Sequence, residues 1–320
     1  MCRRDSPATL LAQTKRHAAI VHLLGLRHVV FAVNKMDLLN FDEKVFNTIK
    51  IAIEDLTKKI GLPDPTLIPM SALLGANVVT ASKDTPWYKG PTLLQWLESL
   101  DTSPQSEKTG LRFPVQYVAR QDGSASDDLR AYLGQIESGS IRVGQKIKVL
   151  PENREATVAK IYLGNRSNRD QANVNNEVES AQTGEAVAIS LAEDIDVSRG
   201  CLFISAQDSN PPILSKLISA DLCWLDTEPL SLSRKYALRH TTNTISAKVK
   251  GIQQVLDVQT LSHALETHPL IANEIGRVDF VLQKAIAADL FSQSQKTGAF
   301  ILIDEATNHT VAAGMIRSAQ

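Results

Sequence analysis

His28-Val29-Val30-Phe31-Ala32-Val33-Asn34-Lys35-Met36-Asp37 organises the first third of the chain. Residues 28–33 form a short, almost wholly apolar run rich in β-branched and aromatic side chains. That is the composition of a strand covered on both faces. The polar loop 34–37 follows at once, at the carboxyl end of the strand, where open parallel sheets place their ligand sites. Downstream, residues 42–60 carry Val45, Ile49, Ile53, Leu56 and Ile60 at helical spacing, and Gly61 and Pro63 stop that helix. Residues 67–70 predict a second strand, ending in Ser71-Ala72, and residues 91–100 predict a helix with Pro91 at its start. Upstream, residues 14–24 predict a helix with Ile20, Val21, Leu23 and Leu24 apolar and Lys15 and Arg16 solvated, closed by Gly25. Strand and helix alternate, so the expected unit is α/β with a parallel sheet and crossover helices.

The residue types in the loop suit guanine. An ionised Asp37 accepts two hydrogen bonds, one from the ring N–H and one from the exocyclic amino group. Adenine offers no such donor pair and would leave the carboxylate unsatisfied. Asn34 can brace the loop and meet the base edge, and the Lys35 stem can lie along the purine face with its ammonium in water. Ser71 and Ala72, after the next strand, are expected to offer backbone N–H groups to the base carbonyl. The candidate nucleotide-binding residues are therefore Asn34, Lys35, Met36, Asp37, Ser71 and Ala72. No Gly-x-x-x-x-Gly-Lys-Ser/Thr and no Asp-x-x-Gly occurs, so the phosphate cradle, the magnesium hydroxyl and the water-activating groups are not found in this sequence. No catalytic or metal-binding residue is assigned. With only two strands recognisable, the α/β part is expected to be the end of a larger domain.

Residues 101–110 are polar, contain Pro and Gly, and read as a linker. Beyond them the pattern changes to short strands separated by turn residues, over 131–133, 146–150, 156–162, 186–191 and 201–204. This is the spacing of a small antiparallel barrel. Pro211-Pro212 marks another boundary. Strands over 217–224, 244–252, 278–282 and 299–303 then predict a second barrel. The expected domains are 1–101, 111–207 and 213–320. Arg234-Lys235-Tyr236 reads as an exposed barrel loop, with contact to a partner as the alternative. Trp87 and Tyr88 are expected to anchor the last helix of the α/β part against its sheet.

Composition narrows the function classes. Lys and Arg total 34 against 35 Asp and Glu, a net charge of −1, so no basic excess argues for a nucleic-acid or anionic-membrane partner. Three scattered cysteines, Cys2, Cys201 and Cys223, show neither metal-ligand spacing nor a disulfide framework and suit a reducing cytoplasm. The first residues lack the apolar stretch of a secretory signal, and a cytoplasmic location is expected. His17 and His22, five apart without an intervening metalloprotease Glu, are expected to be solvated or satisfied rather than ligands.

The motifs together resemble a known family. Gln13-Thr14-Lys15-Arg16-His17, Asn34-Lys35-Met36-Asp37, Ser71-Ala72-Leu73 and Pro86-Trp87-Tyr88 are similar to the elongation-factor Tu/1-alpha branch of GTPases. Within that branch, Ala220-Asp221-Leu222-Cys223-Trp224-Leu225, Asn273-Glu274-Ile275-Gly276, residues 297–304 and residues 307–316 resemble the GTPase subunit of bacterial sulfate adenylyltransferase. The likeness runs from about Leu11 to the end. It implies a partial P-loop GTPase domain followed by two β-barrels, with the phosphate-binding half of that domain preceding the present sequence. It also implies GTP as ligand, with Mg2+ in a full-length relative, and a smaller catalytic partner subunit. The implied role is coupling GTP hydrolysis to the synthesis of adenylylsulfate from ATP and sulfate. The alternative reading is an elongation factor that binds aminoacyl-tRNA, which needs a basic barrel surface that the composition does not support.

Overall fold

The computed structural model describes residues 10–26, 28–62, 65–101, 109–120, 130–164, 177–257, 262–264 and 267–320. The extreme N-terminus, Cys2 and most of the expected linker lie outside the described residues. The chain divides into two compact units, 1–104 with 256–263, and 105–255 with 264–320.

The first unit runs α1 (Ala12–Leu23), β1 (Val30–Val33), a 3-10 turn (Met36–Leu39), α2 (Glu43–Ile60), β2 (Thr66–Pro69) and α3 (Leu93–Glu98). Strands β1 and β2 pair in parallel, Val30 opposite Thr66 through Val33 opposite Pro69. Helix α2 begins because the Asp42 side chain accepts the Lys44 and Val45 N–H groups. It ends because Gly61 adopts φ 75°, which relieves the last carbonyls. Its apolar face buries Phe46, Ile53 and Leu56.

Several expectations need correction here. The β1 strand is not covered on both faces: Phe31 and Val33 pack into the core while Ala32 is exposed, because α2 covers one face of a two-stranded sheet. Helix α1 buries Ala18 and Ala19, leaves Leu24 exposed and half-buries Lys15 and Arg16, which were expected in solvent. Helix α3 is shorter than predicted. It starts after Thr92, whose hydroxyl and the Gln95 side chain form a reciprocal cap. Trp87 and Tyr88 pack on Phe46 of α2, and the Tyr88 hydroxyl donates to Leu67 O of β2 at 3.1 Å. The side chain that ties α3 to the sheet is Trp96, whose indole N–H donates to Thr66 Oγ1 at 3.1 Å.

The second unit holds two antiparallel sheets. The first contains β3 (Phe113–Pro114), β4 (Tyr117–Arg120), β5 (Arg130–Gln135), β6 (Ser140–Arg142), β7 (Lys146–Leu150), β8 (Arg154–Leu163), β9 (Glu177–Val178), β10 (Ser180–Gln182), β11 (Ala186–Leu191) and β12 (Leu202–Ser205). Its main path is β3-β12-β7-β8-β11-β5-β4, with β9 on β8 and a separate β6–β10 ribbon. This path curls as a half-barrel over Phe113, Tyr132, Ile147, Ile161 and Phe203, and an isolated bridge between Arg112 and Ser138 ties its β3 end to the segment after β5.

The second sheet is built from β13 (Ile213–Trp224), β14 (Lys235–His240), β15 (Asn243–Asp257), a short β16 (Ser262–Ala264), β17 (Ile275–Ala288), β18 (Ala299–Asp304) and β19 (Thr310–Ala319). The order β14-β18-β19-β13-β17-β15 closes into a six-stranded barrel because β15 pairs back onto β14. Closure removes the free edges that an open sheet exposes. Inward residues alternate along each strand: Phe300 and Leu302 on β18, Tyr236 and Leu238 on β14, with Trp224 and Phe280 filling the centre. Each such side chain contributes about 1.5–3 kcal/mol on full burial. Gly314 lies under the Phe300 ring, where a Cβ would overlap it, so only glycine lets that ring reach the core. Arg234-Lys235-Tyr236 is therefore not a loop. Lys235 and Tyr236 begin β14, Tyr236 is buried, and Arg234 approaches Asp304 at 3.7 Å.

Candidate functional site

The parallel register puts the carboxyl ends of β1 and β2 side by side, and the loops that leave them are stitched together. Met70 donates its N–H to Val33 O at 2.9 Å, and Met36 donates to Met70 O at 3.2 Å. Asn34 makes the central link. Its Oδ1 accepts the Lys35 N–H at 2.8 Å and, across 38 residues of sequence, the Ala72 N–H at 3.0 Å. The first of these bonds holds Lys35 in a left-handed conformation, φ 67°, which costs a residue with a Cβ about 1 kcal/mol. Met36 turns inward and is 1% exposed, among Phe41, Phe46, Leu67 and Ala76. With Met36 buried, its two neighbours stay at the surface: Lys35 is exposed and Asp37 half-buried.

The Asp37 carboxylate has no hydrogen-bond or ion-pair partner among the described residues, and neither has the Asn34 amide nitrogen. Behind them the loop is tightly specified. Asn40 and Phe41 both have positive φ, Phe41 N–H donates to Met36 O at 2.9 Å, and the Trp87 indole donates to Phe41 O at 3.2 Å.

The second loop differs from expectation in one respect. Ser71 is fully buried, its N–H donates to Ala76 O at 3.2 Å, and its hydroxyl accepts the Leu74 N–H at 3.3 Å. The Ala72 N–H is taken by Asn34. Both backbone donors assigned to a base carbonyl are thus engaged within the protein, because bracing the two loops uses them. The Asn34 amide nitrogen, on an exposed residue, is without a partner among the described residues.

Asn77 was missed by the sequence reading. It is buried, with φ 57°, and its amide donates to Pro69 O at 2.7 Å and Thr85 Oγ1 at 2.9 Å while accepting the Ser82 N–H at 2.8 Å. It fixes the end of β2 from which Ser71 and Ala72 depart. Its one sequence signal is an Asn after Gly-Ala, a residue that tolerates the left-handed turn.

The assembled group is therefore a braced pair of loops presenting one unpaired carboxylate, one unpaired amide donor and one exposed lysine stem. Such a set can meet a flat heterocycle with two donors on one edge.

Comparison with known proteins gives three results. The family described as GTP-eEF1A C-terminal domain-like matches residues 217–317. Along almost its whole length the chain is similar to curated bacterial proteins. It is 41% identical over 320 residues to sulfate adenylyltransferase subunit 1 of Shewanella oneidensis, covering 99% of this chain and 63% of that protein. It is 39% identical over 317 residues to the subunit 1 of Photobacterium profundum, covering 98% and 63%. It is also 40% identical over 313 residues to the bifunctional enzyme CysN/CysC of Mycobacterium tuberculosis H37Rv, covering 98% and 49%. The chain thus spans about half to just under two thirds of the length of these relatives. Among solved structures it resembles sup35 complexed with GDP, at TM-score 0.58 and 23% identity over 96% of this chain and 73% of that one. It also resembles the Saccharomyces cerevisiae Ski7 GTPase-like domain bound to GTP, at TM-score 0.55 and 16% identity over 99% and 70%. These likenesses show the fold alone: an α/β part and antiparallel β-sheets like those of the two solved structures. Among the described residues no helix is long and apolar enough to cross a membrane.

Proposed function

We propose that this chain, similar along nearly its whole length to subunit 1 of sulfate adenylyltransferase, is the guanine-recognising and barrel-bearing part of that enzyme's GTP-binding subunit. The observation that carries the reading is the Asn34 bridge. One carboxamide oxygen holds both loops, Lys35 on one and Ala72 on the other, and leaves the Asp37 carboxylate free beside them. Asp37 accepts the two edge donors of guanine, the Asn34 amide nitrogen donates to an acceptor on the base, and the Lys35 stem covers its face. Ser71 and Ala72 act by shaping the loop, and Met36 by anchoring it.

The role that follows is participation in sulfate assimilation. The complete subunit couples GTP hydrolysis to formation of adenylylsulfate from ATP and sulfate, with a smaller catalytic subunit performing the transfer. The phosphate groups and Mg2+ need a Gly-rich loop and a magnesium hydroxyl that these 320 residues do not contain. The residues present thus fit the base and not the phosphates. The cytoplasm is the compartment this chemistry requires. The near-neutral charge and the 35–41% identities to sulfate adenylyltransferase proteins weigh against an aminoacyl-tRNA carrier.

The test is a binding comparison. The chain is co-expressed with the small catalytic subunit encoded in the same genome, and separately filter-bound to aminoacyl-tRNA. Co-purification with the subunit and no tRNA retention is expected. Retention of tRNA without subunit binding reverses the assignment.

A further inference from the structure

The outer surface of the closed barrel carries a row of side chains that the site above does not use. Across four strands the register aligns Lys235 of β14 with Lys248 of β15, Lys248 with Val281 of β17, and Val281 with Leu217 of β13. Two lysines directly opposite one another on adjacent strands repel and weaken the sheet. Neither has an acidic partner within 4 Å among the described residues, and Arg239, further along β14, has none either. A shallow groove of about 270 Å³ lies beside this pair, lined by both lysines together with Ser246 and Val281. Next along the row, Val281 and Leu217 stay 42% and 36% exposed, an aliphatic step bordering the cations.

The neighbouring row is polar. Gly251, Asp279, Ser219 and Ser318 are aligned across β15, β17, β13 and β19. Two bulges in β15, at 249/251 and at 252/254, bring Lys250 and Gln253 to the same side. The Gln253 amide holds both oxygens of Asp279, at 2.8 and 3.0 Å. Here Ser219 lines a second cleft, of about 90 Å³. Its hydroxyl is buried and has no hydrogen-bond partner among the described residues, an unsatisfied group that a ligand atom would relieve.

We propose that this face, from Lys235 and Lys248 across Val281 to the Ser219 cleft, is the docking surface for an acidic, aliphatic-bearing face of a partner protein. Unpaired cations with an apolar step call for a carboxylate beside an aliphatic side chain. The Ser219 cleft takes one polar side chain of the same partner. Closed-barrel strands offer no backbone edge, so docking is by side chains alone. A single-stranded nucleic acid would need aromatic platforms for its bases, and neither row contains an aromatic side chain.

The inference rests on the proposed partner subunit, and the test separates the two. The full chain is titrated with the purified small catalytic subunit as wild type and as Lys235→Glu, Lys248→Glu and Ser219→Ala. Lys235→Glu sets opposite charges face to face across the strands, so its melting temperature is expected to stay or rise while its affinity falls at least tenfold. Lys248→Glu gives the same split, and Ser219→Ala weakens binding severalfold. Wild-type binding that all three variants retain overturns this surface and leaves the partner reading intact. Absence of wild-type binding overturns both. Binding of a poly-uridine RNA that the two charge reversals abolish overturns the protein partner in favour of a nucleic acid.

Discussion

The Arg112 guanidinium grips the Asp289 carboxylate at two points, Nε to Oδ2 at 2.8 Å and an outer nitrogen to Oδ1 at 2.9 Å, although 177 residues separate them. Arg112 stands just before β3 of the half-barrel, and Asp289 follows β17 of the closed barrel. Asp208 takes the other outer nitrogen, which also donates to Leu111 O, while Asn210 O completes the set. Arg112 is wholly buried. Burial pulls its pKa down, but hydrogen bonds and charge from Asp289 and then Asp208 outweigh that and hold it above its ordinary value. The two sheets of the second unit are therefore joined through one buried, fully donated cation.

Cutting this junction has a predictable sign. Arg112→Met leaves two carboxylates buried without their cation and is expected to destabilise the second unit by about 3–5 kcal/mol. The triple variant Arg112→Met, Asp208→Leu, Asp289→Leu is expected to recover most of that loss, since it removes the uncompensated charges. Urea unfolding followed by Trp224 fluorescence measures both.

His240 makes stability depend on pH. It is buried in the closed barrel, with its Nε2 2.7 Å from Thr297 O, and burial lowers its pKa although the Thr297 carbonyl and Asp289 act the other way. The unfolded chain then takes up a proton near pH 6.5 that the folded chain refuses. Stability from this site is complete above about pH 6.5 and declines as pH falls toward the lowered folded value, at up to about 1.4 kcal/mol per pH unit. Unfolding midpoints measured from pH 7.5 to 5.5 should fall for the wild type. They should fall less steeply for His240→Gln, which keeps an amide donor without a titrating ring.

Asn34 and Asp37 are expected to fail differently. Asn34→Ala removes the acceptor for Lys35 and Ala72, so the first unit should lose about 1–2 kcal/mol together with base binding. Asp37→Ala removes a carboxylate with no hydrogen-bond or ion-pair partner among the described residues, so binding should vanish while stability stays within about 0.5 kcal/mol. Paired thermal melts and titrations of the two variants separate bracing from recognition.

The chain as given is expected to hydrolyse no GTP above background, because the sequence holds no residues to cradle phosphate or aim water. A sensitive phosphate-release assay checks this. Turnover that Asp37→Asn abolishes would contradict it.

What the sequence disclosed followed from local chemistry. Asp42 and Gly61 bracket α2 because capping is decided within a few residues, and Asn34-Lys35-Met36-Asp37 stands out because its strand ends directly before it. Strand β14 was misread because Lys235 and Arg239 alternate with Tyr236, Leu238 and His240 next to a serine-rich stretch, so a half-buried strand looked like a charged loop. The second barrel was expected from its other strands, but the strand that closes it was not. Arg112 gave no local sign, since its partners lie 96 and 177 residues away. Asn34 was expected to brace its loop, but its bond to Ala72, which consumes a donor assigned to the base, was not foreseen.

The sharpest check on the account is a nuclear magnetic resonance titration of the wild type and of Asp37→Asn with GMP, AMP and XMP. The wild type should prefer GMP to AMP by at least tenfold, with shifts at Asn34, Lys35 and Asp37. Asp37→Asn should prefer XMP, whose second carbonyl accepts from the new amide where guanine has an amino group. Equal response to GMP and AMP, or a base preference unchanged by Asp37→Asn, would contradict the claim that this carboxylate reads a guanine edge.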